Sequence, residues 1–285
     1  MKQIVFISGK GGTGKSTVVA SLAELLNNKM IADCDVDAPN LHLLIEGETL
    51  ETEAFYGAKE AIISEDVCIN CGLCRDVCRF EAIDEEFRII PFKCEGCGAC
   101  TLVCPVNAIS LEEVKTGDIY VTETKAGTFS HALLDIGAEG SGRLVAEVRK
   151  KIKKHENGED YTLIDGSPGT GCVVIASITG ADSVVVVCEP TQSAMSDLIR
   201  VLGVAEHFGI SGMVCINKFD LNLENTAEIE KYCEEKGIPV VGRISFDPEI
   251  VDALRELKTP IEAGLENITV QIKNLWDNVK FELEK

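Results

Sequence analysis

The sequence predicts an α/β fold, a doubly wound and mostly parallel sheet interrupted by a small α+β insert. Three observations predict it. The chain of 285 residues opens with an apolar run that passes through a glycine-rich loop into a helical pattern. Further apolar runs, ending in acidic or polar loops, alternate with helical patterns toward the C-terminus. Between about residues 61 and 115 that alternation stops, and eight of the 13 cysteines are gathered there.

The first strand is Gln3-Ile4-Val5-Phe6-Ile7-Ser8. Gly9-Lys10-Gly11-Gly12-Thr13-Gly14-Lys15-Ser16-Thr17 follows, then Val18, Leu22, Leu25 and Leu26 at helical spacing. Strand, glycine loop, Lys-Ser and helix form a P-loop in the context its chemistry needs. The loop's N–H groups close around phosphates and the helix N-terminus adds positive dipole. Lys15 is expected on the β- and γ-phosphates, and Ser16 on Mg²⁺. The second strand, Met30-Ile31-Ala32, ends in Asp33-Cys34-Asp35-Val36-Asp37. Carboxylates at the carboxyl end of a parallel strand lie beside the ligand crevice. No role for Asp37 follows from the sequence.

The insert contains Cys68-x2-Cys71-x2-Cys74-x3-Cys78 and then Cys94-x2-Cys97-x2-Cys100-x3-Cys104-Pro105. This is the ligand spacing of a two-cluster bacterial ferredoxin. A disulfide framework is not expected, because the cysteine total is odd and no signal peptide is visible. Zinc ribbons use paired CxxC units, not two complete runs. Gly72, Gly96 and Gly98 supply the tight turns between ligands. Arg79 stands where the usual pattern has proline, which removes no ligand. Each run leads to a short apolar strand, Ala82-Ile83 and Ala108-Ile109.

Beyond the insert, Ile119-Tyr120-Val121 and Phe129 to Leu134 flank Lys125-Ala126-Gly127 as a hairpin. Tyr161-Thr162-Leu163-Ile164-Asp165 reads as a Walker B strand. The following Gly166-Ser167-Pro168-Gly169-Thr170-Gly171 is a loop suited to sensing a γ-phosphate. Val184 to Val187 runs into Glu189-Pro190-Thr191, and Val214-Cys215-Ile216 into Asn217-Lys218-Phe219-Asp220. Asn217 is expected to hydrogen-bond the base. The NKxD string also resembles a guanine-reading motif, which keeps GTP open beside ATP. Helices are expected near 142–154, 172–180, 193–207, 224–236, 247–257 and 267–282. The last has Ile268, Ile272, Leu275 and Val279 on one face. Its mixture of Lys with Asp and Glu favours core packing over a membrane surface.

Lys and Arg number 27 against 47 Asp and Glu, a net charge of −20. That argues against nucleic acid and against anionic lipid as partners. No apolar run approaches the roughly 18 residues of a membrane span. The first strand starts at once, so a cytoplasmic location is expected.

The KGGxGKS loop, the paired aspartates and the twin cysteine runs together resemble a defined family. It comprises MinD/ParA superfamily P-loop ATPases, of deviant Walker A type, containing an inserted two-cluster ferredoxin domain. The resemblance covers essentially the whole chain and implies two [4Fe-4S] clusters, ATP and Mg²⁺ as cofactors. One cluster would take Cys68, Cys71, Cys74 and Cys104, the other Cys94, Cys97, Cys100 and Cys78. It implies that Ser16, Asp33 and Asp165 hold Mg²⁺ and that Asp35 orients the attacking water. Lys10 would reach the partner subunit's nucleotide, in a homodimer or a heterodimer with a paralogue. Residues 1–60 and 116–285 would form the ATPase domain and 61–115 the ferredoxin insert. The late CxxC of Mrp-type cluster carriers is missing, since Cys188, Cys215 and Cys233 are isolated. Cys172 resembles one of the two cysteines by which the nitrogenase iron protein bridges a cluster. The segment Gly137 to Gly142 lacks the second, so Cys172 is expected to be a buried structural residue. The implied function is ATP hydrolysis coupled to electron transfer or metal-cluster work with a redox or metal-cofactor protein. An assembly or carrier ATPase is one alternative, and a non-catalytic ferredoxin on a nucleotide-binding scaffold is another.

Overall fold

The computed structural model describes residues 1–285, and its chain divides into two compact units. The first unit comprises Met1–Glu53, Ile119–Leu133 and Gly140–Lys285; the second comprises Ala54–Asp118 and Leu134–Glu139. The strands are β1 (Lys2–Ser8), β2 (Lys29–Cys34), β3 (Gly47–Ile63), β4 (Ile109–Thr124), β5 (Gly127–Leu134), β6 (Tyr161–Pro168), β7 (Ser183–Cys188), β8 (Ser211–Asn217) and β9 (Val240–Ile244). They form one sheet in the order β3-β4-β5-β2-β6-β1-β7-β8-β9. From β5 to β9 every neighbouring pair is parallel. Parallel strands are covered on both faces, so they read as unbroken apolar runs. Ile4 to Ile7 and Val184 to Val187 are such runs, all fully buried.

The helices are α1 (Lys15–Leu25), α2 (Leu73–Val77), α3 (Ala99–Val103), α4 (Gly142–Lys154), α5 (Cys172–Ile178), α6 (Gln192–His207), α7 (Leu223–Lys236), α8 (Glu249–Arg255) and α9 (Glu266–Leu283). The main core joins Phe6, Leu22, Phe129, Leu163 and Val185. The apolar stripe of α9 enters this core with Trp276, whose ring meets Tyr161 edge-on at 4.9 Å. No helix is long and apolar enough to cross a membrane. Arg149 on α4 donates to the carbonyls of Ala176 (2.8 Å) and Thr179 (2.6 Å). These carbonyls lie where α5 ends and have no partner within that helix.

The second unit is built on a local repeat. Left-handed φ values recur at matched positions: Asn70 and Gly96 (55° and 60°), Gly72 and Gly98 (84° and 76°), Glu81 and Asn107 (50° and 54°). Gly72 starts α2 and Gly98 starts α3. Ala61, Cys74, Ile83, Cys100 and Ile109 form a small core of their own. Two features differ from expectation. Ala82-Ile83 is no strand; Ile83 makes a single antiparallel bridge to Ile89. The long strand β3 was not anticipated, because its residues are mostly exposed and carry no apolar alternation.

Candidate functional site

The P-loop joins β1 to α1. Gly14 has a φ of 85°, and a Cβ there would lie 2.3 Å from Asn217 Nδ2, so only glycine fits. Lys15 is buried, with Nζ 2.6 Å from Asp165 Oδ1, 3.4 Å from Asp35 Oδ2 and 3.4 Å from Ser16 Oγ. Burial by itself would lower its pKa, but Asp165 and Asp35 outweigh that and hold it raised. Burial pushes the carboxyls of Asp33 and Asp35 up. The repulsion of Asp165 adds to both shifts, while Lys15 opposes them. Three acidic side chains thus share the neighbourhood of one ammonium, and burial opposes the ionisation of two of them. Asp165 Oδ2 is buried without a hydrogen-bond partner. That orphaned acceptor and the nearby Ser16 hydroxyl suit a hard divalent cation with oxygen ligands.

The other acids divide. Asp33 accepts the N–H of Asp35 (3.0 Å) and of Leu41 (3.2 Å), so both its oxygens brace the loop it begins. Asp35 and Asp37 line a cavity of about 650 Å³, together with Gly11 to Val18; Asp33 and Asp165 lie behind that lining. A cavity of this size suits a small-molecule ligand. Asp37 Oδ1 accepts the N–H of Gly140 at 2.9 Å. Gly9 and Lys10 lie outside the cavity lining, and Lys10 Nζ donates to Thr191 Oγ1 at 3.2 Å.

Asn217 lines the cavity; its Nδ2 donates to the Thr13 carbonyl at 2.7 Å and its Oδ1 accepts the N–H of Lys218 at 3.0 Å. Asp220 is not part of the lining and accepts the N–H of Phe246 at 2.7 Å. The fourth residue of the NKxD string thus holds the Ser245-Phe246-Asp247 loop, which does line the cavity. Cys172 corrects an expectation. It is exposed and faces the same cavity, because it opens α5 directly after the loop ending in Gly171.

In the second unit the eight cysteines gather at two small hollows. Cys68, Cys71, Cys74 and Cys104 line one; Cys94, Cys97, Cys100 and Cys78 line the other. Each hollow draws three cysteines from one run and the last from the other. Backbone N–H groups point at four of the sulfurs: Asn70 to Cys68 (3.4 Å), Ala82 to Cys78 (3.4 Å), Ala61 to Cys94 (3.4 Å) and Ala108 to Cys104 (3.2 Å). All 13 cysteines are free thiols. Nowhere do three His, Cys, Asp or Glu side chains converge as a site for a single metal ion. Sequence reasoning missed Gly140, Thr191 and the true contact of Asp220. Each is a partner distant in sequence and no local motif marks it.

Residues 4–261 match a family model described as the CobQ/CobB/MinD/ParA nucleotide binding domain. An uncharacterised protein of Methanocaldococcus jannaschii is 37% identical over 225 residues, covering 77% of this chain and 79% of its own length. An iron-sulfur cluster carrier protein of the same organism is 25% identical over 265 residues, 86% of this chain and 72% of its own. The septum site-determining protein MinD from Pyrococcus horikoshii, solved with Mg-ADP, is similar with a TM-score of 0.59 at 20% identity. That likeness spans 98% of this chain and 95% of the other, and it is a likeness of fold.

Proposed function

The chain belongs to the CobQ/CobB/MinD/ParA family of nucleotide-binding domains, and we propose that it is an ATPase coupling its nucleotide cycle to iron–sulfur chemistry in the cysteine-rich unit. The observation that carries this reading is the pair of four-cysteine hollows with crossed membership. Four thiolates each is the ligand complement of a [4Fe-4S] cube, and the crossing is the pattern of two-cluster ferredoxins. Thiolates spread around a hollow suit a cube better than one ion. When bound, each cluster would supply a one-electron redox centre. The N–H groups aimed at the sulfurs would stabilise added negative charge there.

In the first unit, the P-loop amides and Lys15 bind the phosphates of ATP. Asp35, in the cavity, orients water for attack, while Asp33 holds the loop that carries Asp35. Ser16 and Asp165 would hold Mg²⁺, which supplies charge neutralisation at the phosphates. Asn217 borders the base side and fixes the P-loop through Thr13. The Lys10 ammonium donates to Thr191 outside the cavity and would engage a second subunit's nucleotide in a dimer, with a copy or a paralogue. The partner is a redox or metal-cofactor protein.

Anaerobic purification tests the reading. About eight irons per chain are expected, with the reduced-cluster signals of electron paramagnetic resonance. Cys104→Ser is expected to disturb the cluster of Cys68, Cys71 and Cys74 and spare the other. One iron or zinc per chain would sink the proposal. A second reading, a cluster carrier, is favoured by the carrier protein among the relatives. Mixing loaded protein with an apo-acceptor decides between them. Iron that leaves on ATP addition supports the carrier, and retained iron supports the redox role.

A further inference from the structure

The chain crosses between its two units four times. Three crossings fall inside strands, in β3 at Glu53–Ala54, in β4 at Asp118–Ile119 and in β5 at Leu133–Leu134. The fourth, Glu139–Gly140, lies in an irregular segment between β5 and α4. Its two ends are fastened differently. At one end, the Gly140 N–H donates to Asp37 Oδ1, a carboxylate that lines the nucleotide cavity. The approach is so close that a Cβ on Gly140 would lie 2.4 Å from that oxygen and 2.7 Å from Val36 Cγ2. At the other end, Asp135 N–H donates to the Thr116 carbonyl at 2.9 Å. The Phe92 ring lies against Gly137, 3.2 Å from where a Cβ would be. Phe92 is 83% exposed and holds a φ of 62°, a strained conformation for a bulky residue. Two residues later comes Cys94, the first cysteine of the second run.

We propose that residues 134–140 are a strap that passes nucleotide state from Asp37 to the Phe92–Cys94 segment of the second cysteine hollow. The inference rests on the ATPase reading above and adds to it a route and a direction. A nucleotide that shifts the Asp35–Asp37 loop pulls Gly140 through its hydrogen bond. The short tether then moves Gly137, and Phe92 loses or gains its contact. Phe92 suits this role because its ring is otherwise exposed and lies two residues from Cys94. The hollow of Cys68, Cys71 and Cys74 has no part in the strap.

Hydrogen exchange of the full, cluster-loaded chain, with and without ATP, tests it. In the wild type, ATP is expected to change exchange of residues 90–97 by about fivefold, a modest coupling between sites. Residues 68–74 are expected to change less. Gly140→Ala breaks the Asp37 hydrogen bond and is expected to keep ATP binding but lose the response at 90–97. Phe92→Ser cuts the far end, leaving a response at 134–139 and none at 90–97. Retention of the 90–97 response in both variants overturns the strap, as does a wild type that binds ATP with no response there. If Gly140→Ala does not fold or bind, Phe92→Ser alone decides. A wild type that binds no ATP overturns the proposed function instead, a result distinct from the rest.

Discussion

Lys15 lies within hydrogen-bonding or ion-pair distance of Asp165 and Asp35, although the three come from the start of α1, the middle of β6 and the loop after β2. Asp35→Asn is expected to cut ATP hydrolysis by about 10²- to 10³-fold and leave nucleotide affinity nearly unchanged, as the loss of the carboxylate that orients the attacking water would. Turnover and equilibrium binding, measured side by side, check this. Gly14→Ala is expected to abolish binding outright, since its Cβ would strike Asn217. A pH effect belongs to this scale too. His131 is stacked against Phe129, Tyr120 and His42, and burial followed by the charge of His42 lowers its pKa to about 4. The unfolded histidine titrates near 6.5, so the unfolded chain binds the extra proton first. Stability is therefore complete above about pH 6.5 and falls toward pH 4, by about 3 kcal/mol in all. Urea melts of the wild type and of His131→Phe across that range test it; the variant is expected to be flatter. P-loop residues were legible in the sequence because their chemistry is local. The Asp37–Gly140 bond was not, because its partners are far apart in the chain, and Cys172 was misjudged because exposure depends on how α5 begins.

The helices around the parallel sheet were legible because burial on one face imposes a 3.6-residue period. The expected 267–282 helix is α9, and its predicted stripe is the buried one. Strand β3 was illegible for the complementary reason: an edge strand wet along most of its length has no face to mark. It is anchored at its start by the buried Lys151 of α4, which pairs with Glu51 and Glu53. Leu275 on α9 is fully buried, close over Gly242. Leu275→Ala is expected to cost about 3 kcal/mol, a typical core truncation. A denaturant midpoint lowered with unchanged slope is the signature to look for.

At the scale of the molecule, the net charge of −20 predicts no retention on DNA at physiological salt. If two chains close around ATP, sedimentation in ATP is expected to give a dimer for Asp35→Asn and a monomer when Lys10→Ala is added. The two-unit division also bears on engineering. The strands β3 and β4 are neighbours in the sheet, and all of residues 64–108 lie between them in the chain. The Gly57 N–H meets Thr116 Oγ1 at 3.0 Å and marks opposing positions on the pair. The cysteine-bearing segment thus occupies the place that a turn would take in a plain hairpin. Replacing residues 58–115 by a two-residue Asn-Gly turn would close β3 and β4 as a plain hairpin. Such a chain is expected to keep the fold of the first unit and its nucleotide cavity, and thermal melts with and without ATP check this.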